Sequence, residues 1–279
     1  MKRILITGAN SYIGTSFERY ITENHRDEYV VDTVDMIDGS WSEKSFEGYD
    51  TIFHVAGIAH QKETAANAHL YYEVNRDLAL EVAQKAKEEG VKQFLFLSSM
   101  SVYGKDVGVI TKETVPMPKT HYGKSKWQAE QVIASLQDEK FKVCVLRPPM
   151  VYGKGCKGNF QSLIKIVRKL PIFPYVKNKR SVVYVDNLSI FAKMCIDRNL
   201  EGIHFPQNKE YMCTLEMAKI IAQTIGKKIR VEYLSGLMVT VLRAFYPKAR
   251  KAFGTLIYDT KENFEMDAVD NDESIRKSV

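Results

Sequence analysis

The amino-terminal segment Lys2–Gly14 constrains the fold more than any other part of the chain. It reads Lys-Arg-Ile-Leu-Ile-Thr-Gly-Ala-Asn-Ser-Tyr-Ile-Gly. The apolar run Ile4–Ile6 suits a strand that is buried on both faces, and the apolar residues after Gly8 recur at the spacing of one helix face. The segment therefore predicts a strand, a tight turn at Gly8 and a helix that contains Gly14.

A turn of this kind can bind a diphosphate. The N–H groups at a helix amino terminus have no partner within the helix and carry partial positive charge, and small residues let a ligand approach the backbone. The spacing is that of a Gly-x-x-Gly-x-x-Gly pattern in which Ser11 takes the middle position. Ser11 would loosen the turn if this position required a positive φ. The turn predicts a dinucleotide ligand, with an ordinary tight βα turn as the alternative interpretation.

An acidic residue follows the next predicted strand. The run Tyr29–Val34 is largely apolar and is followed by Asp35. An aspartate at the tip of this strand can accept hydrogen bonds from an adenosine ribose. We favour Asp35 over Asp32 for this role because Asp32 falls within the strand. A carboxylate here would repel a 2′-phosphate, so the sequence predicts NAD rather than NADP.

The apolar runs that follow predict a parallel sheet. Thr51–Ala56, Gln93–Ser98 and Phe141–Leu146 have the pattern of strands, and helical patterns lie between them at 65–89 and from His121 onwards. Strands that alternate with helices form parallel sheets. The predicted fold class is α/β, a Rossmann-type doubly wound parallel sheet with a small, mostly helical carboxy-terminal substrate domain.

The regular alternation fades after Gly153, which predicts a domain boundary. We expect residues 1–155 to form the NAD-binding Rossmann domain, with 183–205 returning to it. Residues 156–182 and 206–279 are then expected to form the smaller substrate-binding domain.

Four later segments carry structural predictions of their own. Val182–Val185 and Ile203–Phe205 are expected to add strands to the sheet. Leu237–Phe253 has the pattern of a helix, and the acidic stretch Asp259–Glu273 is expected to be a solvated surface.

Small and polar residues follow the third and fourth predicted strands, at the edge where parallel sheets bind ligands. Ala56-Gly57 leaves room for a cofactor, although a simple turn would also need small residues. The segment 98–101 holds three serines, which are unusual for packing but also occur in turns. Tyr122 and Lys126 are one helical turn apart, so their side chains share a helix face.

The composition is that of a globular protein and disfavours several partners. The 40 Lys+Arg and 34 Asp+Glu give a net charge of +6, which suits an anionic small molecule and is spread too thinly for nucleic acid. The four cysteines lie far apart and are expected to be reduced. His54 and His60 lack partners at metal-ligand spacing, so no metal site is expected. The apolar run at the amino terminus is too short for a signal sequence or membrane span, so we expect a cytoplasmic protein without a membrane partner.

Taken together, these segments resemble the extended short-chain dehydrogenase/reductase family, and within it the NAD-dependent nucleotide-sugar epimerases and dehydratases of the UDP-galactose 4-epimerase kind. The resemblance covers essentially the whole chain. The matching parts are Thr7-Gly8 with Gly14, Asp35, His54–Gly57, Asn75, Ser99 with Val102–Gly104, Tyr122 with Lys126, Arg147-Pro148, Asn159, and Arg180 with Val185-Asp186.

The resemblance implies a role for each candidate residue. Tyr122 would be the general base, Lys126 would favour its phenolate and bond the nicotinamide ribose, and Ser99 would orient the substrate oxygen. The free phenol has a pKa of ~10, and the Lys126 ammonium and a positive nicotinamide ring would both favour its phenolate. The expected cofactor contacts are Gly8, Asn10, Ser11, Tyr12, Ile13, Gly14, Asp35, Ala56, Gly57, Asn75, Tyr122 and Lys126. The expected substrate contacts are Ser99, Ser101, Tyr122, Asn159 and Arg180.

Asn159 and Arg180 are assigned by the resemblance to the diphosphate of the substrate's nucleotide. The planar fork of an arginine can pair with two phosphate oxygens. A solvated basic loop is the alternative interpretation of Lys177–Arg180.

The activity implied is oxidation and reduction at carbon 4 of a nucleotide-diphosphate sugar. A UDP-sugar 4-epimerase that acts on a UDP-hexose or UDP-N-acetylhexosamine, as a homodimer, is the main hypothesis. A nucleotide 4-keto-sugar reductase is the alternative, because the same three catalytic residues serve both. A dehydratase is disfavoured, since Met100 and Ser101 stand where such relatives carry an acidic pair. A non-catalytic dinucleotide sensor is the alternative from another class, and the presence of Ser99, Tyr122 and Lys126 argues against it.

Overall fold

The structure is a computed structural model that describes residues 1–59, 61–233, 247–259 and 268–279. The chain divides into two compact units. The first unit comprises residues 1–104, 116–148 and 188–206, and the second comprises 105–115, 149–187 and 207–279.

The strands and helices follow one another as the sequence predicts for an α/β protein. The described strands are β1 (Lys2–Thr7), β2 (Tyr29–Val34), β3 (Thr51–His54), β4 (Gln93–Leu97), β5 (Gly108–Ile110), β6 (Lys142–Leu146), β7 (Met150–Tyr152), β8 (Ile172–Pro174), β9 (Val182–Tyr184), β10 (Gly202–His204), β11 (Arg230–Glu232) and β12 (Leu256–Tyr258). The described helices are α1 (Tyr12–Asn24), α2 (Ala68–Tyr72), α3 (Leu78–Glu88), α4 (His121–Ala134), α5 (Asn159–Lys169), α6 (Val185–Asp197), α7 (Thr214–Thr224), α8 (Pro247–Phe253) and α9 (Asn271–Ser278).

The first unit is built on a six-stranded parallel sheet in the order β10-β6-β4-β3-β1-β2. From β1 the chain adds β2 on one side and then crosses to β3 on the other, so the strand order reverses between β1 and β3. Open α/β sheets bind ligands outside the carboxyl ends of the strands at such a reversal. The predicted Rossmann-type sheet is confirmed, and Gly8 and Ala56-Gly57 follow the two strands that flank the reversal.

The central strands of this sheet are apolar because both faces are covered. Ile4, Leu5 and Ile6 are fully buried, and every residue of β3 and β4 is buried. Residues of α3 and α4, such as Ala83 and Ile133, pack in one apolar cluster with the strands. A strand buried on both faces needs no alternation of polar and apolar residues. This explains why short uninterrupted apolar runs marked these strands in the sequence.

One predicted helix differs from the structure. The segment expected to be helical over 65–89 begins at Ala68, and a π-helical turn at Glu73–Asp77 separates α2 from α3. A π turn carries one residue more than the α-helical repeat and often marks a functional site. Here it presents the buried Asn75, which bonds to groups outside the helix.

The described strands of the second unit form two-stranded sheets, with β7 paired to β9, β8 to β11 and β5 to β12. We expected Val182–Val185 to add to the main sheet, and this prediction is wrong because β9 pairs in parallel with β7. The place beside β6 is taken by β10, which includes part of the predicted strand Ile203–Phe205. An apolar run predicts a strand but does not identify the strand with which it pairs.

Two predictions fall partly outside the described residues. In the helix expected over Leu237–Phe253, residues 247–253 are helical, and 237–246 are not described. In the acidic stretch Asp259–Glu273, the described acidic residues are exposed as expected, and 260–267 are not described. No helix within the described ranges is long and apolar enough to cross a membrane.

Candidate active site

The turn after β1 needs a glycine at position 8. Gly8 has a φ of +116°, which L side chains rarely adopt, and a Cβ placed on it would lie 2.9 Å from the amide nitrogen of Ala56. The Ala56 amide in turn donates to the carbonyl oxygen of Thr7 at 3.0 Å. The backbone after β1 therefore packs directly on the backbone after β3, as the predicted binding edge requires.

Ser11 does not loosen this turn, because its backbone is extended, with a φ of −71°. The positive φ falls instead on Asn10, at +62°. The Ser11 hydroxyl accepts a hydrogen bond from the Gly14 amide at 3.2 Å and caps α1. A Cβ on Gly14 would lie 2.6 Å from this hydroxyl and 3.1 Å from the Ile6 side chain, so Gly14 lets the helix pack closely on the sheet.

The helix amino terminus and Asp35 lie around this turn. Tyr12 and Ile13 are the first two residues of α1. The Val34 carbonyl oxygen accepts from the amides of Gly8 and Ala9 at 2.9 and 3.0 Å, which brings the end of β2 to the turn and places Asp35 beside it. The Asp35 carboxylate accepts from the Ile37 amide at 2.8 Å.

Asp32 has a different environment within β2. Its carboxylate accepts from the Tyr49 hydroxyl at 2.7 Å and lies 3.7 Å from Arg3. The choice of Asp35 over Asp32 as the ribose partner stays a prediction, and these contacts support it.

Asn75 holds the loop after β3 against α4. Its amide oxygen accepts from the Ile58 amide at 2.8 Å, and its amide nitrogen donates to the Ile58 carbonyl and to the Ser125 hydroxyl at 3.2 and 3.0 Å. A Cβ on Gly57 would lie 2.8 Å from the Asn75 oxygen and 3.2 Å from the Lys126 nitrogen. The π turn therefore positions the Gly57 backbone next to α4.

Tyr122 and Ser99 meet at the end of β4. Ser99 follows the strand in extended backbone, and its hydroxyl lies 3.2 Å from that of the exposed Ser101. Burial raises the pKa of the Tyr122 phenol, and a hydrogen bond with Ser99 acts to lower it. The phenol is therefore protonated at neutral pH, and its use as a base requires positive charge nearby.

Lys126 supplies a buried positive charge one turn after Tyr122 on α4. Its ammonium donates to the Leu97 carbonyl oxygen at 2.9 Å and lies 4.7 Å from the centre of the Phe96 ring. Burial lowers the pKa of Lys126 to about 8, and the Glu130 charge acts to raise it. The lysine is therefore mostly charged at pH 7, at the end of the strand that carries Ser99.

Two residues that the sequence analysis missed fix the start of α4. The Glu63 carboxylate accepts from the amides of His121 and Tyr122 at 2.9 and 3.0 Å. The Thr120 hydroxyl accepts from the Gly123 amide at 3.0 Å. Thr120 directly before the helix was a readable capping signal, whereas Glu63 lies 58 residues away from His121 in the sequence.

A buried ion pair behind Lys126 was also missed. Glu130 lies one turn after Lys126 and accepts from the Nε and Nη2 atoms of Arg147 at 3.0 and 2.5 Å. Ser98 donates to the same carboxylate, and Arg147 donates to the Tyr103 hydroxyl at 2.6 Å. Tyr122, Lys126 and Glu130 recur every four residues, and this spacing was the available signal.

Asn159 and Arg180 lie in the second unit. Asn159 is the exposed first residue of α5. The Arg180 guanidinium donates through Nη1 to the carbonyl oxygens of Lys251 and Gly254 at 2.9 and 3.1 Å, and burial lowers its pKa. Arg180 is thus a fixed, partly buried cation, whereas Lys177 and Lys179 are exposed.

The described histidines show no arrangement of metal ligands. His54 is buried, pairs with the Thr7 hydroxyl at 2.8 Å and stacks against Phe94 and Phe96, and burial lowers its pKa to about 3. His60 lies outside the described residues. In the described part of the chain, no group of three or more His, Cys, Asp or Glu side chains could hold a metal ion.

The residues at the strand-order reversal fit a dinucleotide. Gly8, Gly14 and Gly57 remove side-chain bulk where the backbone or a helix approaches closely. The amino terminus of α1 provides partial positive charge for a diphosphate, and Asp35 beside the turn would accept from a ribose.

The chain matches the family described as the NAD dependent epimerase/dehydratase family over residues 4–205. The UDP-glucose 4-epimerase of Vibrio cholerae is 31% identical over 251 residues, which cover 81% of this chain and 76% of that protein. The N-acetyl-alpha-D-glucosaminyl-diphospho-ditrans,octacis-undecaprenol 4-epimerase of Escherichia coli O157:H7 is 27% identical over 245 residues, which cover 81% of this chain and 73% of that protein.

A solved structure shows the same fold. The crystal structure of UDP-glucuronic acid 4-epimerase from Bacillus cereus in complex with NAD aligns with a TM-score of 0.76 at 18% sequence identity, over 99% of this chain and 95% of that one. The family match spans the whole glycine turn, β4 and α4, and the sequence relatives extend over most of the chain. The chain therefore belongs to the NAD-dependent epimerase/dehydratase family, whose cofactor is NAD.

Proposed function

We propose that this protein is an NAD-dependent 4-epimerase of a nucleotide-diphosphate sugar, with a UDP-hexose or a UDP-N-acetylhexosamine as substrate. The observation that carries the proposal is the position of Ser99, Tyr122 and Lys126 together at the end of β4. Two relatives with sequence similarity over most of the chain are named as 4-epimerases, which supports the reaction type.

The roles of the three residues follow from their surroundings. NAD, when bound, supplies the hydride acceptor and donor. Tyr122 takes the proton of the sugar hydroxyl and returns it, and Ser99 bonds the same oxygen and stabilises the charge that develops on it. Lys126 stabilises the phenolate, because its buried ammonium is poorly screened by water.

The first unit would hold the cofactor through the residues around its strand-order reversal. Ser11–Gly14 would bind the diphosphate at the start of α1, and Asp35 the adenosine ribose. In the second unit, Asn159 and Arg180 would bind the diphosphate of the substrate. Two backbone carbonyls already hold the Arg180 guanidinium, so little side-chain entropy is lost on binding.

The proposal also includes the cellular compartment and the oligomeric state. The cysteines are free thiols, which suits the cytoplasm, where thiols stay reduced. We also propose a homodimer, as the resemblance to the family implies.

A second candidate substrate is a hexosamine linked through diphosphate to a polyprenol lipid. The Escherichia coli O157:H7 relative is named for such a substrate and covers as much of this chain as the Vibrio cholerae relative does. Both substrate classes carry the sugar on a diphosphate, so Arg180 and Asn159 could serve either one.

Replacement of Tyr122 by Phe tests the proposal. Loss of the phenol should lower kcat for UDP-hexose interconversion by about 10²–10⁴-fold, because the general base is lost. The content of bound NAD should stay unchanged, since the ring remains. Tyr20→Phe removes a hydroxyl on α1 and serves as the matched control.

The outcome also separates the alternatives. Turnover that survives in Tyr122→Phe contradicts the proposed mechanism. Reduced dinucleotide consumed only with a 4-keto sugar, without interconversion, would identify a reductase instead.

A further inference from the structure

The second unit exposes several large apolar side chains along α5 and the strand pair β8–β11. We call this set the apolar patch. Its members, with the exposed fraction of each residue, are Ile166 (44%), Leu170 (48%), Ile172 (47%), Tyr175 (39%) and Tyr233 (69%). Exposed apolar residues that cluster mark a surface with a partner, whereas isolated ones are normal.

The members of the apolar patch are linked by their order along the chain and by the pairing of β8 with β11. Ile166 lies in the last turn of α5 and Leu170 directly follows the helix, where its amide donates to the Ile166 carbonyl at 2.8 Å. Ile172 follows two residues later in β8. The Tyr175 amide donates to the Glu232 carbonyl at 3.1 Å, and the rings of Tyr175 and Tyr233 stack with centres 4.8 Å apart.

The packing of α5 does not require Ile166 or Leu170. The helix buries Phe160, Ile164 and Val167 instead. At 100° per residue, Ile166 lies about 130° from the centre of this buried face, and Leu170 directly follows the helix. They therefore do not contribute to the buried core of the second unit, and core packing does not explain why they are apolar.

Basic side chains surround the apolar patch. In α5, Lys165, Arg168 and Lys169 are exposed, and Lys165 and Lys169 are one turn apart, next to Ile166. Beside β8, Lys228 and Arg230 are exposed, and Arg230 pairs in register with Ile172. The strands β8 and β11 contain one acidic residue, Glu232. The surface therefore combines apolar side chains with an excess of positive charge.

The sequence after Tyr233 is also mostly apolar, with one basic residue, Arg243. Residues 234–246 read Leu-Ser-Gly-Leu-Met-Val-Thr-Val-Leu-Arg-Ala-Phe-Tyr. They lie outside the described residues and are not part of the apolar patch.

We propose that the apolar patch docks on the surface of a bilayer that contains anionic lipids. The aliphatic side chains enter the boundary between headgroups and acyl chains, tyrosines favour that boundary, and lysines and arginines pair with anionic headgroups. A soluble protein partner would also bury the apolar side chains, but the complementary charge here is the negative surface of a membrane. This proposal replaces the expectation that a membrane is not a partner, which rested on the short apolar run at the amino terminus.

Docking would bring the enzyme close to lipid-linked sugar substrates. An enzyme held at a bilayer meets sugars linked through diphosphate to a membrane lipid, whose sugar end lies at the headgroup level. This consequence rests on the proposed function, whereas the docking itself rests on the apolar patch alone.

Co-sedimentation of the full chain with vesicles tests the docking. The wild type should sediment with vesicles of phosphatidylcholine and phosphatidylglycerol, less with phosphatidylcholine alone, and less at high salt. Ile166→Ser/Leu170→Ser should lower the partition coefficient by about tenfold or more. Lys165→Gln/Lys169→Gln should lower it by about 25-fold, since each basic residue near an anionic surface strengthens binding by about fivefold.

Matched controls show whether the effect belongs to the apolar patch. Val115→Ser/Met117→Ser removes two apolar side chains that are both 71% exposed elsewhere in the chain. Lys119→Gln/Lys124→Gln makes the same change of net charge at exposed positions. Both controls should bind vesicles like the wild type, and circular dichroism should show that every variant is folded.

Three outcomes would overturn the docking. The first is a wild type that binds neither vesicle. The second is equal loss in control and patch variants. The third is a patch variant that changes the oligomeric state without affecting vesicle binding, which would make the surface a contact between copies of the chain. Turnover of UDP-hexoses and UDP-N-acetylhexosamines without vesicles is measured in parallel: its absence with vesicle binding intact would refute the proposed nucleotide-sugar substrate and leave the docking standing.

Discussion

Lys126→Met should stabilise the protein while it abolishes catalysis. In the structure the Lys126 ammonium is buried, and its pKa falls from 10.5 to about 8. Since one pH unit corresponds to about 1.36 kcal/mol, the buried charge costs about 3 kcal/mol of stability at pH 7. Methionine has a similar shape and no charge. It leaves the Leu97 carbonyl without its donor, a loss of about 1–2 kcal/mol, so the net gain at pH 7 is about 1–2 kcal/mol.

The dependence on pH separates these two contributions. The unfolded chain holds the Lys126 proton up to pH 10.5, whereas the folded chain releases it near pH 8. Between these values the unfolded state binds more protons, so the stability of the wild type rises with pH. Lys126→Met lacks this rise. Its advantage over the wild type should therefore be constant below about pH 8 and fall by about 3 kcal/mol as the pH approaches 10.5.

Urea unfolding of the dinucleotide-free protein from pH 7 to pH 10 measures the difference. Lys124→Met, on the exposed side of the same helix, is the matched control and should change stability by less than about 0.5 kcal/mol. A difference between Lys126→Met and the wild type that does not vary over this pH range would refute the reasoning. It would mean that the ammonium is not desolvated in the folded protein.

Substitutions at three further positions test other parts of the site. Ser11→Ala should destabilise the protein by about 1 kcal/mol through loss of the α1 cap, and Ser11→Gly by less, as thermal unfolding would show; equal losses would contradict the capping role. Asn75→Ala should cost about 1–3 kcal/mol and weaken NAD binding, measured by calorimetry, because the Ile58 backbone loses its partners; unchanged NAD affinity would contradict its positioning of the loop. Glu130→Gln should cost about 3–5 kcal/mol in urea unfolding, because Arg147 stays buried without a charged partner, and a neutral result would show that water reaches the pair.

The cofactor edge of the first unit was largely predictable from the sequence. The apolar run before Gly8 and the periodicity after it are local signals, and local signals determine a strand, a turn and a helix. The length of β2 was enough to predict that Asp32 lies within the strand and Asp35 directly after it. The spacing of Tyr122 and Lys126 places both side chains on one helix face in any α-helix.

Other features depend on contacts that no local pattern encodes. The glycine pattern raised the prospect of a looser turn at Ser11. In the structure, the Ser11 hydroxyl caps the helix and Asn10 takes the positive φ. Glu63 reaches the start of α4 from a distant loop. The predicted pairing of β9 with the main sheet was wrong, because a short apolar run can pair with any available strand edge. The π turn at Asn75 arises from hydrogen bonds to another segment, which helical spacing cannot reveal.

The measurement that tests the central claim most directly is turnover without added cofactor. The purified protein is denatured, its released dinucleotide is identified, and the native protein is assayed with UDP-glucose, UDP-galactose and their N-acetylated forms. The account predicts bound NAD and interconversion of one pair of 4-epimers with no net formation of NADH. An empty protein that consumes reduced dinucleotide only when a 4-keto sugar is supplied would contradict it.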